Sequence, residues 1–289
     1  LIMGKSSNGS QRWLRIGTVS VQPSEFVKVG IIIFISYYLI RFSDDLHSND
    51  KKIRNKRLIY LFLFTIFPTV LIAIENLSTA IIVFLIAFCM SFLGTSGRKW
   101  HIIGVASMLG LLVFAKKFIK VIYNWGFRNY RLERLLVWVE PEKYNRDGGY
   151  QVVQGLYSIG SGGMFGKGIG RGIQKMFVPE SQNDMIFAII VEELGLFGAG
   201  LIMGAFVFLI YRMIKISFSV TDPEGVYLVV GILIHLSLQV ILNIAVVTGV
   251  LPNTGVSLPF ISYRGTSILV LLGEMGIVLS VARSIKLDY

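Results

Sequence analysis

The chain has one cysteine, Cys89, inside an apolar run. That excludes a disulfide framework and a thiolate metal site. Its three histidines, His47, His101 and His235, do not form a zinc-ligand spacing. Charge is scarce: lysine, arginine, aspartate and glutamate together reach 16%, against about 25% in a soluble domain. No secretory signal peptide opens the sequence.

What fills the chain instead is apolar. Hydrophobic residues make up 54% of 289, and mean hydropathy is +0.67. Runs of roughly 18–22 apolar residues recur, each long enough to cross a bilayer. A soluble protein with so many uncharged helices would have no polar face for water. The sequence therefore predicts an all-α, polytopic membrane protein. Its spans are expected at 21–40, 58–74, 80–95, 102–121, 185–211, 225–247 and 266–283. Pro68 is placed to kink the second span. Glu75 to Thr79 leaves room only for a tight hairpin between the second and third. Residues 122–184 read as one long polar loop rich in Gly, Arg and Tyr. The opening Leu1-Ile2-Met3 reads as the stub of an apolar segment cut upstream. One N-terminally incomplete membrane domain over 1–289 is the expectation.

The net charge of +11 would suit a nucleic-acid partner. In a membrane protein the positions of the charges matter more than their sum. Arg41, Lys51, Lys52, Arg54, Lys56 and Arg57 share one side of the bilayer with Arg98, Lys99, Arg212, Lys215, Arg283 and Lys286. By the positive-inside rule that side is cytoplasmic. The C-terminus then lies inside and 122–184 outside. An external loop that stays basic suits an anionic ligand, or simple solvation.

Within that loop, seven of the thirteen residues from Gly160 to Gly172 are glycine. The spacing fails as a phosphate-binding Gly-x4-Gly-Lys-Ser/Thr loop, and no βαβ context exists for a dinucleotide fold. What remains is a bendable backbone interleaved with Lys167, Arg171 and Lys175, able to approach phosphates closely or merely flexible. Asp184 stands where the loop meets the fifth span, a place for a helix cap or for a functional carboxylate. Glu192 and Glu193 lie about two turns deeper, and intramembrane carboxylates are functional candidates. Glu25 and Lys28 form an i,i+3 pair near the outer face, preceded by Arg12-Trp13. His235 and Glu274 fall at similar depth in the last two spans and are placed to pair, in a structural more than a catalytic role.

These residues resemble the SEDS family (shape, elongation, division and sporulation). The matching segments run in order along nearly the whole chain. They are Asn8 to Trp13, Gln22 to Lys28, Gly149-Tyr150-Gln151 and the Gly160–Gly172 loop with Gln174-Lys175. Then follow Pro179-Glu180 through Glu192-Glu193-Leu194-Gly195, Leu251-Pro252, Thr254-Gly255 and Leu258 to Tyr263. The resemblance implies ten spans, of which this chain matches the last seven. It implies a membrane glycosyltransferase that polymerises lipid II into peptidoglycan, with the Gln182-Asn183-Asp184 form leaning toward the cell-division branch.

By the same resemblance Asp184 is the catalytic base or a metal ligand. Arg12, Glu25 and Lys28 would line the same substrate cavity, and Lys167 and Lys175 would assist at the phosphates. No cofactor is certain; a divalent cation, magnesium or manganese, at Asp184 is the candidate. The implied partners are lipid II, a class B penicillin-binding protein (a transpeptidase), other division proteins and the bilayer, with no nucleic acid. A lipid II flippase and a non-catalytic division scaffold are the competing readings. Arg264 departs from the family's usual glycine and is expected to hinder activity, through strain if φ is positive there or through bulk and charge. Glu75-Asn76 likewise replaces the family's usual Pro-Asp.

Overall fold

The structure, a computed structural model, describes residues 5–7, 10–16, 19–124, 130–140, 143, 149–179 and 181–285. Three short strands, β1 (Lys5–Ser7), β2 (Ser10–Ile16) and β3 (Val19–Val21), form an antiparallel sheet in sequence order. Helices follow: α1 (Pro23–Arg41), α2 (Ser43–His47), α3 (Lys51–Glu75), α4 (Leu77–Leu93), α5 (Lys99–Asn124), α6 (Tyr130–Val139), α7 (Tyr150–Gly162), α8 (Ile186–Ser219), α9 (Pro223–Val247) and α10 (Gly265–Arg283). A short 3-10 turn covers Gln174–Met176.

Each of the seven expected spans coincides with a helix: α1, α3, α4, α5, α8, α9 and α10. Five of them, α1, α3, α8, α9 and α10, are long and apolar enough by length and composition to cross a membrane, and α4 is a shorter apolar helix. The expected all-helical membrane class therefore stands, with the small sheet added ahead of α1.

The chain divides into two compact units. One comprises Leu1–His101, Phe208–Leu238 and Arg264–Tyr289; the other comprises Ile102–Val207 and Gln239–Tyr263.

In the first unit, Pro23 opens α1 at a position where its missing N–H is not needed. Ile31, Ile32, Ile35 and Leu39 form the buried face of α1. The helix packs against α3, α4 and α10. Buried Leu58 and Leu61 of α3 and Val83, Ile86 and Met90 of α4 contribute to the same core. Asp50 caps α3, its carboxylate accepting from the Lys52 N–H at 2.8 Å. Pro68 sits inside α3, which runs on through it; the Thr69 hydroxyl donates to the Thr65 carbonyl nearby. The tight hairpin comes down to one residue. The Asn76 N–H closes α3 on the Ile72 carbonyl, while its side-chain oxygen accepts from Thr79 N–H at 3.3 Å and starts α4.

The second unit is built around the first part of α8. Met185, Ala188, Ile189 and Val191 pack with Val240 and Val247 of α9 and with Leu258. The stretch expected as one polar loop contains α6 and α7. In α7 a single face is buried, through Val152, Val153, Gly155 and Ser158. Its unburied Tyr150, Gln151, Gln154, Tyr157 and Ser161 made the segment read as loop. The α6 residues Leu136 and Trp138 pack on Ile119 of α5, and the Trp138 indole N–H donates to the Gly249 carbonyl at 3.1 Å.

Candidate functional site

Asp184 lies in a turn just before α8 begins, and it is buried at 6% exposure. Its Oδ1 accepts a hydrogen bond from Gln151 Nε2 at 3.3 Å. The same Gln151 amide also donates to the Pro179 carbonyl at 3.1 Å. The Gln151 side-chain oxygen accepts from Asn253 Nδ2 at 2.7 Å, and Asn253 Oδ1 in turn accepts from the Gly255 N–H at 3.3 Å. Gly255 has φ 68, and a Cβ there would stand 3.4 Å from Asp184 Oδ2. A side chain at that position would be strained and would crowd the carboxylate.

The backbone around Asp184 is tied down as firmly. Asn243, fully buried in α9, donates from Nδ2 to the carbonyls of Asp184 at 2.8 Å and Val256 at 2.7 Å. The Ser262 hydroxyl donates to the Asn183 carbonyl at 2.6 Å and accepts from the Leu258 N–H. The Tyr263 N–H donates to the Gln182 carbonyl. These bonds use the main chain of residues 182 and 183, so they do not depend on which side chains stand there. They also hold Phe260 at φ 62, a left-handed backbone position that is costly for an aromatic residue and typical of over-determined functional segments.

The glycine-rich loop is anchored to α8 by both main chain and side chains. Inside α8, Gly195 takes φ 71 and ψ −175 and interrupts the helix. In an unbroken helix the Glu192 and Glu193 carbonyls would accept from Leu196 and Phe197. Here they accept from Lys167 and Gly168 of the loop, both at 2.9 Å. The freed Leu196 and Phe197 amides donate to the Gly163 and Met164 carbonyls, both at 3.0 Å. Lys167 Nζ pairs with the buried Glu192 carboxylate at 2.7 Å, and the backbone N–H groups of Ile173 and Gln174 donate to the same oxygen. Lys175 Nζ pairs with Glu193 at 3.0 Å, and Gly170 N–H donates to the second Glu193 oxygen at 2.9 Å. Thus Lys167 and Lys175, expected at the phosphates, are found holding the loop in shape.

In the first unit, Lys28 Nζ pairs with Glu25 at 2.9 Å, as the spacing suggested, and both side chains are buried. His235 and Glu274 also pair as expected, with Nδ1 2.9 and 3.0 Å from the two carboxylate oxygens and neither side chain exposed. Ser267 and His235 both lie close enough to interact with Glu25. The unit therefore holds a buried polar cluster of Glu25, Lys28, His235, Ser267 and Glu274. Arg12 falls on β2, and its side chain lies outside the described residues. Arg264 is the residue before α10, with φ −135 and ψ 97. That is extended backbone, so the strain argued for a positive φ does not arise there.

The sequence profile of the FtsW/RodA/SpoVE family, described as cell cycle protein, matches residues 1–287. The chain belongs to this family. Among its relatives, the probable peptidoglycan glycosyltransferase FtsW of Geobacter sp. (strain M18) is 33% identical, over 98% of this chain and 74% of that protein. Stage V sporulation protein E of Bacillus subtilis (strain 168) is 34% identical, over 97% and 74%. Peptidoglycan glycosyltransferase MrdB of Escherichia coli (strain K12) is 34% identical, over 96% and 72%. Two solved structures share the fold over 100% of this chain. One is a chain from a peptidoglycan synthase complex that coordinates polymerization and crosslinking, with TM-score 0.75, 24% identity and 77% of that chain covered. The other is the rod shape determining protein RodA of Thermus thermophilus, with TM-score 0.66, 21% identity and 74% covered.

The FtsW/RodA/SpoVE motifs direct attention to Asp184 but not to all of its supports. Gln151 stands in one of the matching segments without an assigned role. Asn253 and Asn243 carried no assignment. Asn243 was open to discovery, since a polar side chain in an apolar span needs a partner inside the protein.

Proposed function

We propose that this chain is a peptidoglycan glycosyltransferase that polymerises lipid II into glycan strands at the outer face of the cytoplasmic membrane, in the cell-division branch of its family. The observation that carries the reading is the buried, doubly braced Asp184 in a chain that the family profile matches over residues 1–287.

The reaction joins the 4-hydroxyl of one sugar to the anomeric carbon of another. The new C–O bond forms as the bond to undecaprenyl pyrophosphate breaks, and the hydroxyl proton must go to a base. Asp184 is that base. Gln151 fixes one of its oxygens, Asn243 fixes its backbone, and Gly255 puts no side chain beside its other oxygen. Lys28 and Arg12 are the cations assigned to the departing pyrophosphate, and Glu25 orients Lys28. Lys167 and Lys175 contribute by shaping the loop through Glu192 and Glu193.

A divalent cation, magnesium or manganese, would be held through the Asp184 carboxylate, beside the Gln151 and Asn253 amides, whose oxygens accept from Asn253 and Gly255. That suits a hard ion that keeps several waters and takes further oxygens from a diphosphate. The ion would supply charge stabilisation for the leaving group.

The C-terminus is assigned to the cytoplasm and residues 122–184 to the outside, which puts Asp184 on the side where lipid II is consumed. The crosslinking partner is assigned as a class B penicillin-binding protein, a transpeptidase; a structural relative belonging to a complex of polymerization and crosslinking supports this. Purified protein with lipid II and such a partner, read out as glycan length, tests the reading. Long strands that vanish with Asp184→Asn support it. Movement of lipid II across the membrane without polymer would favour a flippase. Polymer made equally well by Asp184→Asn would leave this chain a scaffold.

A further inference from the structure

The glycine-rich loop is polar by composition but apolar by exposure. Phe165 and Ile169 are each 82% exposed and Met176 is 76% exposed; Met164, Ile173 and Phe177 are exposed as well. Large apolar side chains held this far out of the protein need a cover. We propose that this loop is a membrane wedge: its apolar side chains enter the lipid leaflet beside α8, at the level of the Gly195 break, with Arg171 among the headgroups.

Three observations select lipid as the cover. The first is continuity. The backbone bonds set Gly163 beside Leu196 and Met164 beside Phe197. Leu196, Phe197 and Leu201 are themselves exposed apolar residues of a helix apolar enough to cross a membrane. The loop's apolar surface therefore extends the lipid-facing surface of α8.

The second is polar satisfaction. Irregular backbone is tolerated near hydrocarbon only where its N–H and C=O groups have partners in the protein. Here the amides of Lys167 and Gly168 and the carbonyls of Gly163 and Met164 are all bonded to α8. The two lysine charges next to them are paired with Glu192 and Glu193. A loop built only for water would not need this.

The third is length. At 1.5 Å per residue the whole of α8 would be about 51 Å long, well beyond a hydrocarbon core of about 30 Å. The stretch from Leu196 to Ser219 alone is about 36 Å, which fits the core with part of the interface. The break at Gly195 thus falls near the membrane boundary, and the loop bonded to it lies at that boundary too. Exposed Arg171 then faces the phosphate layer, as basic side chains of interfacial segments do.

The inference does not depend on Asp184 being catalytic, and its test reads position rather than activity. Cys89, the single cysteine, is replaced by alanine. Cysteine is then placed in turn at Phe165, Ile169 and, as an exposed reference elsewhere in the polar stretch, Lys143. Each variant is labelled with an environment-sensitive fluorophore in nanodiscs of equal phosphatidylglycerol and phosphatidylcholine. The three native side chains are exposed, so the substitutions leave the packing intact. Labels at 165 and 169 are expected to be quenched about threefold more than the reference by nitroxides high on the acyl chains, and about threefold less by aqueous iodide, as for a segment buried about 5–10 Å into the interface. Iodide quenching equal to that at Lys143 would overturn the wedge. Protection from both quenchers would overturn it as well, showing that protein, such as a second copy of the chain, covers the loop.

Discussion

Gly195 of α8 and Gly166 of the glycine-rich loop meet backbone to backbone, so closely that a Cβ on Gly195 would overlap the Gly166 nitrogen. A Cβ on Gly166 would in turn overlap the Glu193 carbonyl and the Gly195 nitrogen. Gly195 also holds φ 71 with ψ −175, a region open in practice to glycine alone. Gly195→Ala is therefore expected to lose about 3 kcal/mol or more, combining backbone strain with the loss of loop–helix bonds. Thermal unfolding of the detergent-solubilised variant checks it; an unchanged transition would mean the loop is not fixed to the helix as described.

Asp184→Asn keeps the size of the side chain and the acceptor for Gln151 but removes the base. Glycan synthesis is expected to fall by at least the roughly 10²–10⁴-fold of a lost general base, with thermal stability close to that of the parent. Polymerisation and melting are measured on the same preparation. Near-parental synthesis by the folded variant would remove Asp184 from the chemistry.

Gln151 acts through Asp184, so its replacement should affect turnover more than binding. Gln151→Ala is expected to lower kcat roughly ten- to hundredfold with little change in KM, because a catalytic group displaced by about 1 Å loses up to that much. Gln151→Glu keeps an acceptor for Asn253 but loses the Nε2 that donates to Pro179 and Asp184, and when ionised it repels Asp184. It should therefore recover little. Steady-state kinetics at several lipid II concentrations separates the two parameters; a pure KM effect would make Gln151 a substrate contact instead.

The Lys167–Glu192 pair offers a double-mutant cycle. Lys167→Met strands a fully buried carboxylate and is expected to lose about 3–5 kcal/mol. Glu192→Gln in the same chain removes the charge but keeps an acceptor for the Ile173 and Gln174 amides. The double variant should recover most of the loss, giving a coupling energy of about 1 kcal/mol or more. If the two losses simply add in denaturation measurements, the pair does not anchor the loop.

The sequence made some of this legible and hid the rest for physical reasons. Transmembrane helices announce themselves because lipid demands long uncharged stretches, and each expected span has its helix. Pairing of Glu25 with Lys28 follows from one helical turn, and pairing of His235 with Glu274 from matching depth. Lys167 and Lys175 were different. A lysine in a glycine-rich loop has the same local sequence whether it awaits a phosphate or a buried glutamate, and only the fold brings Glu192 within reach. The Gly195 break was equally hidden, because a single glycine in an apolar run normally stays helical at about 1 kcal/mol relative to alanine. Helix α7 escaped notice because only one of its faces is buried. The strands ahead of α1 are three to seven residues long, too short for alternation to stand out.

The four bonds across the α8 break also impose an order of assembly. The loop carbonyls and amides at positions 163–168 are synthesised before Gly195. Without them, the Glu192 and Glu193 carbonyls would take the Leu196 and Phe197 amides instead, and α8 would run on unbroken at about 1 kcal/mol for its glycine. The earlier segment thus serves the later one as an internal template. A chain made with the loop deleted would enter the membrane with a continuous α8, its shape changed before any sugar is bound.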